Sequence, residues 1–342
     1  MIRINVYAQN RGWLFEDLKD HFRSLSRFRR FEVVVSDAPL PNADVWVALR
    51  TNEGIYSPYL KRTVICIHDL FFGPDLYGPG GSRRCVREAG ALVFSHPEQR
   101  QILIREGVSL NRRPVLERPL GALKTFSLRD KNPQRFSIGW VGRNHPRKRL
   151  NWLIEAVKEL SVPASQFEVV FIGEGLSDAA SVLSANGIRC TYFDRSSYGI
   201  ATYPKLYKRL DCLVITSSTE AGPLPLFEAL ATGLVVVSTP VGWAPYFAFG
   251  FPRYVRLANS IDEIKLHLTA LKAEKDLIYD ERFEIARLVE EWSLDGWIRA
   301  VLELAGSLTE APNASPEPQQ HESSVKASSA KLKRKSQVNG GV

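Results

Sequence analysis

Two carboxylates, Glu220 and Glu228, stand eight positions apart on either side of a Gly/Pro turn. An apolar stretch at 212–216 leads into this turn, and a second one follows at 234–237. A strand, a glycine turn and a helix together bind phosphorylated ligands, because the first N–H groups of the helix are free and its dipole favours anions. A dinucleotide-binding turn repeats its glycines, whereas only Gly222 stands here. The two carboxylates therefore predict a site that binds a phosphorylated ligand and accepts hydrogen bonds from its hydroxyl groups on both sides of the phosphate.

A basic turn lies at the end of another predicted strand, residues 136–141. Arg143 and Lys148 follow that strand and precede a helical pattern. A guanidinium can bind two phosphate oxygens at once and an ammonium supplies a point charge, so the pair suits a diphosphate. Taken alone, the segment is better explained as a solvated basic turn before a helix. Parallel topology would bring it to the same sheet edge as Glu220 and Glu228, which favours the binding interpretation.

The elements that must position these residues alternate between strand and helix in both halves of the chain. Predicted strands comprise residues 2–8, 31–36, 45–49, 64–68, 91–95, 136–141, 169–172, 190–193, 212–215 and 234–237. Predicted helices comprise residues 13–25, 97–106, 150–160, 177–186, 203–209, 260–275, 279–291 and 294–305, with a short one after Gly222. This pattern predicts an α/β protein with two facing, doubly wound, mostly parallel sheets and an interdomain cleft at the carboxyl ends of the strands.

The chain divides by pattern into four predicted parts. Residues 1–130 form an N-terminal domain and residues 131–292 a C-terminal, ligand-binding domain. Residues 293–306 form a helix expected to pack partly on the first domain. Residues 307–342 carry Ser, Pro, Gln and Lys with little to bury, which predicts a disordered tail.

Composition narrows the class of protein. No run of about 18 apolar residues occurs, and the N-terminus lacks the layout of a signal peptide, so a cytoplasmic protein is expected. The four cysteines have no CxxC spacing, which favours reduced thiols over disulfides or zinc. The net charge of +8 lies mainly in residues 1–130. An anionic partner or a merely solvated surface explains it equally well.

Several motifs together resemble the retaining GT-B glycosyltransferases of family 4. Residues 219–233 match the E-x7-E pattern of that family, and 141–148 match its G-R-x4-K phosphate site. Residues 171–175 are similar to its V-x-G-x-G strand end, and 207–211 to its Y-x-x-A-D segment. In the first half, His68 with Asp69 and Leu70 resembles an H-D-L element of a mannosyltransferase-like subset. The resemblance is dense from about residue 136 to 243.

The resemblance implies two GT-B domains and a role for each matched residue. Arg143 and Lys148 would neutralise the diphosphate of a nucleotide-sugar donor, and Glu228 would accept the ribose hydroxyls. Glu220 would hold a hydroxyl of the transferred sugar, and His68 would contact that sugar near the reacting carbon. Backbone N–H groups near Gly222 to Leu226 would face the phosphates, which makes Gly222, Pro223, Leu224 and Leu226 the predicted donor-binding positions.

The implied reaction retains configuration. The acceptor attacks on the face from which the nucleotide diphosphate leaves, and the leaving phosphate oxygen helps to deprotonate it. Cations and helix N–H groups supply the main stabilisation of charge. No Asp-x-Asp sequence occurs in the chain, so no cofactor and no metal are expected.

The acceptor side of the sequence departs from the family pattern. Gln9 to Trp13 replaces a double-glycine loop, and Gly242 to Tyr246 replaces Gly-Gly-x-Pro-Glu, so a third carboxylate is absent. Trp243 can line a sugar-binding wall or fill space. A glycan, or a lipid-linked or surface-polysaccharide acceptor, is expected. Arginines at 23, 27, 29 and 30 suggest peripheral contact with anionic membrane.

Three rival functions remain open at this stage. A catalytically inactive GT-B scaffold that binds a nucleotide-sugar or glycan fits the two departures. A GT-B epimerase would convert its substrate without a glycan acceptor, and a GT-B phosphorylase would release a sugar phosphate. Nucleic acid is not an expected partner, because no recognised nucleic-acid-binding motif accompanies the basic charge.

Overall fold

A computed structural model describes residues 1–9, 13–25, 27–68, 81–111, 113–130, 132 and 134–309. The predicted tail is described only as far as Thr309. Asp69 and Leu70, the residues at 10–12, and the chain beyond 309 lie outside the described residues. Within the described part, no helix combines the length and the apolar character needed to cross a membrane.

The first half of the chain forms a largely parallel sheet. Its strands are β1 (Ile2–Tyr7), β2 (Arg27–Phe28), β3 (Phe31–Ser36), β4 (Val45–Ala48), β5 (Thr63–Ile67), β6 (Ala91–Phe94) and β7 (Val115–Glu117). Over the described residues they are ordered β2-β3-β1-β4-β5-β6-β7, and only the β2–β3 hairpin is antiparallel. Its helices are α1 (Trp13–Ser24), α2 (Gly81–Glu88) and α3 (Gln99–Arg105). Both faces of β4 and β5 are buried, as their continuous apolar sequence requires.

The second half repeats this architecture. Its strands are β8 (Phe136–Arg143), β9 (Phe167–Glu174), β10 (Cys190–Asp194), β11 (Cys212–Ile215), β12 (Val235–Ser238) and β13 (Val255–Leu257). They are parallel in the order β10-β9-β8-β11-β12-β13 over the described residues. The order reverses direction beside β8, so β8 and β11 flank the position where α/β sheets bind ligands.

Helices cover both faces of the second sheet and close the fold. They are α4 (Leu150–Lys158), α5 (Ser177–Ala185), α6 (Tyr203–Tyr207), α7 (Leu224–Ala231), α8 (Ala244–Gly250), α9 (Ile261–Ala273), α10 (Lys275–Asp280), α11 (Arg282–Arg287) and α12 (Leu294–Ser307). The α12 helix packs on the first sheet, where Trp297, Ile298 and Val301 join its core. The chain thus crosses between domains twice, and the crossings meet where Leu294 N donates to Ala122 O at 3.0 Å.

The predicted helix over 279–291 is correct only in part, because the structure has two short helices there, α10 and α11, which are separated at Glu281 and end at Arg287. The apolar spacing continues through both helices, so periodicity does not reveal the break. Strands β2, β7 and β13 were not predicted. Each has two or three residues and lies at a sheet edge, where alternation is too short to recognise.

Candidate active site

The donor loop, residues 216–223, connects β11 to the start of α7. Pro223 is the N-cap residue and makes no side-chain cap, while Pro225 lies in the first helical turn and has no N–H to leave unsatisfied. Leu226 N donates to Pro223 O at 3.0 Å. Gly222 and Leu224 donate to no acceptor among the described residues. The phosphate-facing donors predicted between Gly222 and Leu226 therefore reduce to the N–H groups of Gly222 and Leu224, since neither proline has one.

Lys148 and Glu220 form an ion pair at the entrance of this loop. The Lys148 Nζ lies 2.5 Å from Glu220 Oε1, and the two side chains are 19% and 10% exposed. Ser217 Oγ donates to the same carboxylate oxygen at 2.8 Å. Sequence reasoning assigned these two residues separately to phosphate and to sugar. Because the two side chains are in contact, a phosphate bound to Lys148 and a sugar hydroxyl bound to Glu220 would be next to each other.

Several bonds hold the basic turn against the donor loop. Arg149 donates to the carbonyl oxygens of Thr216 at 2.9 Å and Ser217 at 2.8 Å. The Thr216 hydroxyl donates to Lys148 O at 2.6 Å, and Ser218 N donates to Arg147 O at 2.7 Å. Arg149 adopts a left-handed conformation with φ of 45°. Such a strained conformation persists only where surrounding contacts enforce it. Here the contacts of Arg149 with the donor loop hold Lys148 beside Glu220.

Glu228 lies in the middle of α7 and is 8% exposed. Tyr207, fully buried on α6, donates from its hydroxyl to Glu228 Oε2 at 2.5 Å. Burial raises the pKa of the Glu228 carboxyl to about 7, and the hydrogen bond from Tyr207 opposes that rise. The bond from Tyr207 uses Oε2, so Oε1 can accept from a ligand hydroxyl.

The carboxyl ends of β8 and β9 approach each other closely beside the basic turn. A Cβ on Gly173 would lie 1.8 Å from the carbonyl oxygen of Gly142, and both glycines have positive φ. The Gly173 turn is therefore a structural requirement for the two strands. Arg143 ends β8 with an exposed side chain that makes no ion pair within the described residues. The structure thus leaves this guanidinium accessible to an anion.

His68 follows β5 in the first domain and reaches the donor loop through one intermediate residue. Its Nδ1 lies 2.8 Å from the Ser95 hydroxyl, and its ring is 6.0 Å from those of Phe15 and Trp297. A Cβ on Gly222 would lie 2.9 Å from the carbonyl oxygen of Ser95. The two halves of the predicted site therefore meet at Ser95.

Two predicted or candidate ligand contacts have their side chains in the core. Leu226 is fully buried, so it can offer only backbone groups to a ligand. Trp243 is 6% exposed, its ring lies 4.8 Å from that of Trp292, and its Nε1 donates to Ser95 O at 2.7 Å. Of the two interpretations of Trp243, the structure therefore supports filling of space between the domains.

Three contributors to the site were not identified as such in the sequence: Ser95, Arg149 and the Tyr207 hydroxyl. Tyr207 belongs to a recognisable segment, but its contact with Glu228 depends on the packing of α6 against α7. Ser95 gives no signal beyond its position after a strand. Arg149 follows two other basic residues, and nothing in the sequence distinguishes the one that supports the loop from those that face outward.

Solved structures share this architecture along nearly the whole chain. Anabaena HepE in complex with UDP and glucose has a TM-score of 0.66 at 15% identity, covering 90% of this chain and 100% of that one. WaaG, a glycosyltransferase of lipopolysaccharide biosynthesis, has a TM-score of 0.63 at 15% identity, covering 92% and 100%. The apo lipopolysaccharide outer core galactosyltransferase WaaB has a TM-score of 0.64 at 12% identity, covering 90% and 99%. No curated protein matches the sequence.

The two Rossmann-like domains have the GT-B fold, as predicted. Residues 135–251 match the family described as Glycosyl transferases group 1, and they contain every predicted site residue except His68. The second domain is therefore similar to the group 1 glycosyl transferases, and the described chain has the GT-B fold.

Proposed function

We propose that this protein is a retaining glycosyltransferase of family 4 that moves a sugar from a nucleotide-diphosphate sugar to a glycan or lipid-linked acceptor in surface-polysaccharide assembly. The observation that carries the proposal is the Lys148–Glu220 contact of 2.5 Å beside the start of α7. A cation for phosphate, a carboxylate for a sugar hydroxyl and free N–H groups lie together there. The most useful first donor is a UDP-sugar, because the HepE structures hold UDP and UDP-glucose.

Each chemical part of the donor has a candidate partner. Arg143 and Lys148 would bind the diphosphate and stabilise its charge as it leaves, with the N–H groups of Gly222 and Leu224 on the same oxygens. Glu228 would accept from the ribose hydroxyls through the oxygen that Tyr207 leaves open. Glu220, held by Lys148 and Ser217, would orient the transferred sugar.

The chemical step needs charge stabilisation more than proton transfer by the protein. The bond between the anomeric carbon and the leaving phosphate oxygen breaks while the acceptor oxygen bonds to the same face. That phosphate oxygen takes the acceptor proton, so no protein base is required. His68 would contact the sugar near the reacting carbon. Because two cations and two N–H groups would face the diphosphate, the proposal includes independence of metal ions.

Membrane contact of the first domain is a further part of the proposal. Arg29 and Arg30 form the tip of the β2–β3 hairpin, where their guanidinium groups lie over the rings of Phe28 and Phe31. Arg29 also pairs with Glu303 at 2.6 Å, so part of its charge is already compensated. Binding to anionic vesicles that weakens with rising salt would support this contact, and binding indifferent to salt would contradict it.

The test of the catalytic proposal is transfer across a panel of nucleotide-sugars and glycan acceptors, analysed for anomeric configuration. Wild-type protein should transfer with retention, and Lys148→Ala and Glu220→Ala should lose most of that activity. Donor binding without turnover on any acceptor would favour the alternative, an inactive GT-B scaffold. That alternative is suggested by the missing third carboxylate in the segment that contains Trp243. An inverted product would refute the retaining assignment.

A further inference from the structure

Ser95 is the point at which the first domain touches the donor loop. It follows β6, is 3% exposed and accepts a hydrogen bond from Trp243 Nε1 on its carbonyl oxygen at 2.7 Å. Gly222 lies so close to the same carbonyl oxygen that a Cβ at position 222 would be only 2.9 Å from it, so only glycine allows the donor loop to approach Ser95 this closely. Leu224, at the start of α7, packs against the core of the first domain. One backbone carbonyl therefore joins two segments of the second domain to the first.

The side chain of the same residue binds His68. The Ser95 hydroxyl lies 2.8 Å from His68 Nδ1, across the register that pairs β5 with β6. The ring also packs near Phe15 and Trp297, with centroid separations of 6.0 Å to each. These two aromatic neighbours and a hydrogen bond at one nitrogen together restrict the rotation of the imidazole, whichever of the two bonded groups carries the proton.

We propose that Ser95 is a positioning residue: its hydroxyl orients His68, and its carbonyl, held by Trp243, ties that orientation to the docking of the donor loop. The inference rests on the proposed function, because it assumes that His68 contacts the transferred sugar. Trp243 stands where the family pattern has glycine, so the hydrogen bond from its indole is a feature of this chain. The imidazole is then correctly oriented only when the donor loop and Trp243 are both docked against Ser95.

The kinetic test compares Ser95→Ala with a matched control. Ser95→Ala should lower kcat about tenfold, the effect of one hydrogen bond, while the donor KM and the Kd for UDP stay within about twofold. Ser137 on β8 carries an equally buried hydroxyl, which donates to Glu168 on β9 at 2.7 Å, and Ser137→Ala should leave kcat unchanged. In a His68→Ala background, Ser95→Ala should cause no further loss. An equal loss in both backgrounds, or a kcat unaffected by Ser95→Ala, would overturn the proposal.

A second readout does not depend on turnover. Nitrogen NMR of labelled histidines gives few signals, since the chain has 6 histidines, and the signal absent from His68→Ala identifies His68. Both Ser95→Ala and Trp243→Phe should shift the Nδ1 resonance of His68. Tyr246→Phe, which alters a ring 5.6 Å from that of Trp243, should not. An unmoved resonance in Trp243→Phe would refute the coupling even if transfer were observed, whereas absent transfer with shifted resonances would refute only the proposed function.

Discussion

Replacing Glu228 with glutamine should remove a pH-dependent loss of stability. Burial raises the pKa of this carboxyl from 4.5 to about 7 in the folded protein. The folded state therefore binds the proton more tightly than the unfolded state, and the contribution of Glu228 to stability is fully present below pH 4.5. It is lost as the pH rises towards 7 and is constant above that.

The magnitude follows from the difference between the two pKa values. At about 1.4 kcal/mol for each tenfold change in proton affinity, the whole effect is roughly 3 kcal/mol. Between pH 5 and pH 8, wild-type protein should lose about 2.5 kcal/mol of unfolding free energy through this group alone. Glutamine keeps the size of the side chain and an acceptor for the Tyr207 hydroxyl, so Glu228→Gln should lack that component.

Urea unfolding of ligand-free protein at pH 5, 6, 7 and 8 measures the effect directly. The difference in unfolding free energy between Glu228→Gln and wild type should grow in favour of the variant as the pH rises. Glu290→Gln, on an exposed side chain, controls for the loss of one negative charge. A difference that stays constant from pH 5 to pH 8 would refute the assignment of the pKa shift to Glu228.

The same titration should appear in nucleotide binding. Ribose hydroxyls donate, and the ionised carboxylate accepts from them more strongly than the protonated acid does. UDP affinity should therefore decrease as the pH falls below 7, by at most about tenfold per pH unit. Tyr207→Phe removes the hydrogen bond that favours the ionised form, so it should move the midpoint of this fall to higher pH. Calorimetric titrations with UDP measure both effects, and an affinity independent of pH would contradict the role of Glu228.

The remaining predictions concern the ion pairs, the strand approach and the metal. Lys148→Ala should weaken UDP binding, whereas Glu220→Ala should leave UDP binding intact and reduce transfer at least 100-fold, a split that calorimetry and a transfer assay resolve. Asp211→Ala should cost about 3–5 kcal/mol of unfolding free energy, because it leaves Arg129 buried without its partner at 2.6 Å. Gly173→Ala should prevent folding or separate β8 from β9, visible as lost near-UV circular dichroism, because its Cβ would lie 1.8 Å from a carbonyl oxygen. Transfer should persist in EDTA, and its loss with recovery on adding a divalent ion would refute metal independence.

Much of the fold was predictable because both sheets are mostly parallel. Strands such as β5 and β11 are buried on both faces and read as short apolar runs between turn residues. The rule that ligands bind at the carboxyl ends of such strands then placed Arg143, Lys148 and Glu220 at one edge. The edge strands β2, β7 and β13 were not predictable, because two or three residues are too few to show a hydrophobic period, and neither was the one-residue break between α10 and α11.

The sequence by itself predicted two doubly wound α/β domains from the alternation of strands and helices, and the resemblance of its motifs to a known family supplied the candidate donor-binding residues. It could not determine what those residues contact. The 2.5 Å Lys148–Glu220 pair depends on Arg149 holding two loops together, and the raised pKa of Glu228 depends on the packing of α6 over α7. The position of Ser95 between His68 and Gly222 depends on how two domains meet. Such contacts join residues far apart in the chain, and only tertiary packing decides them.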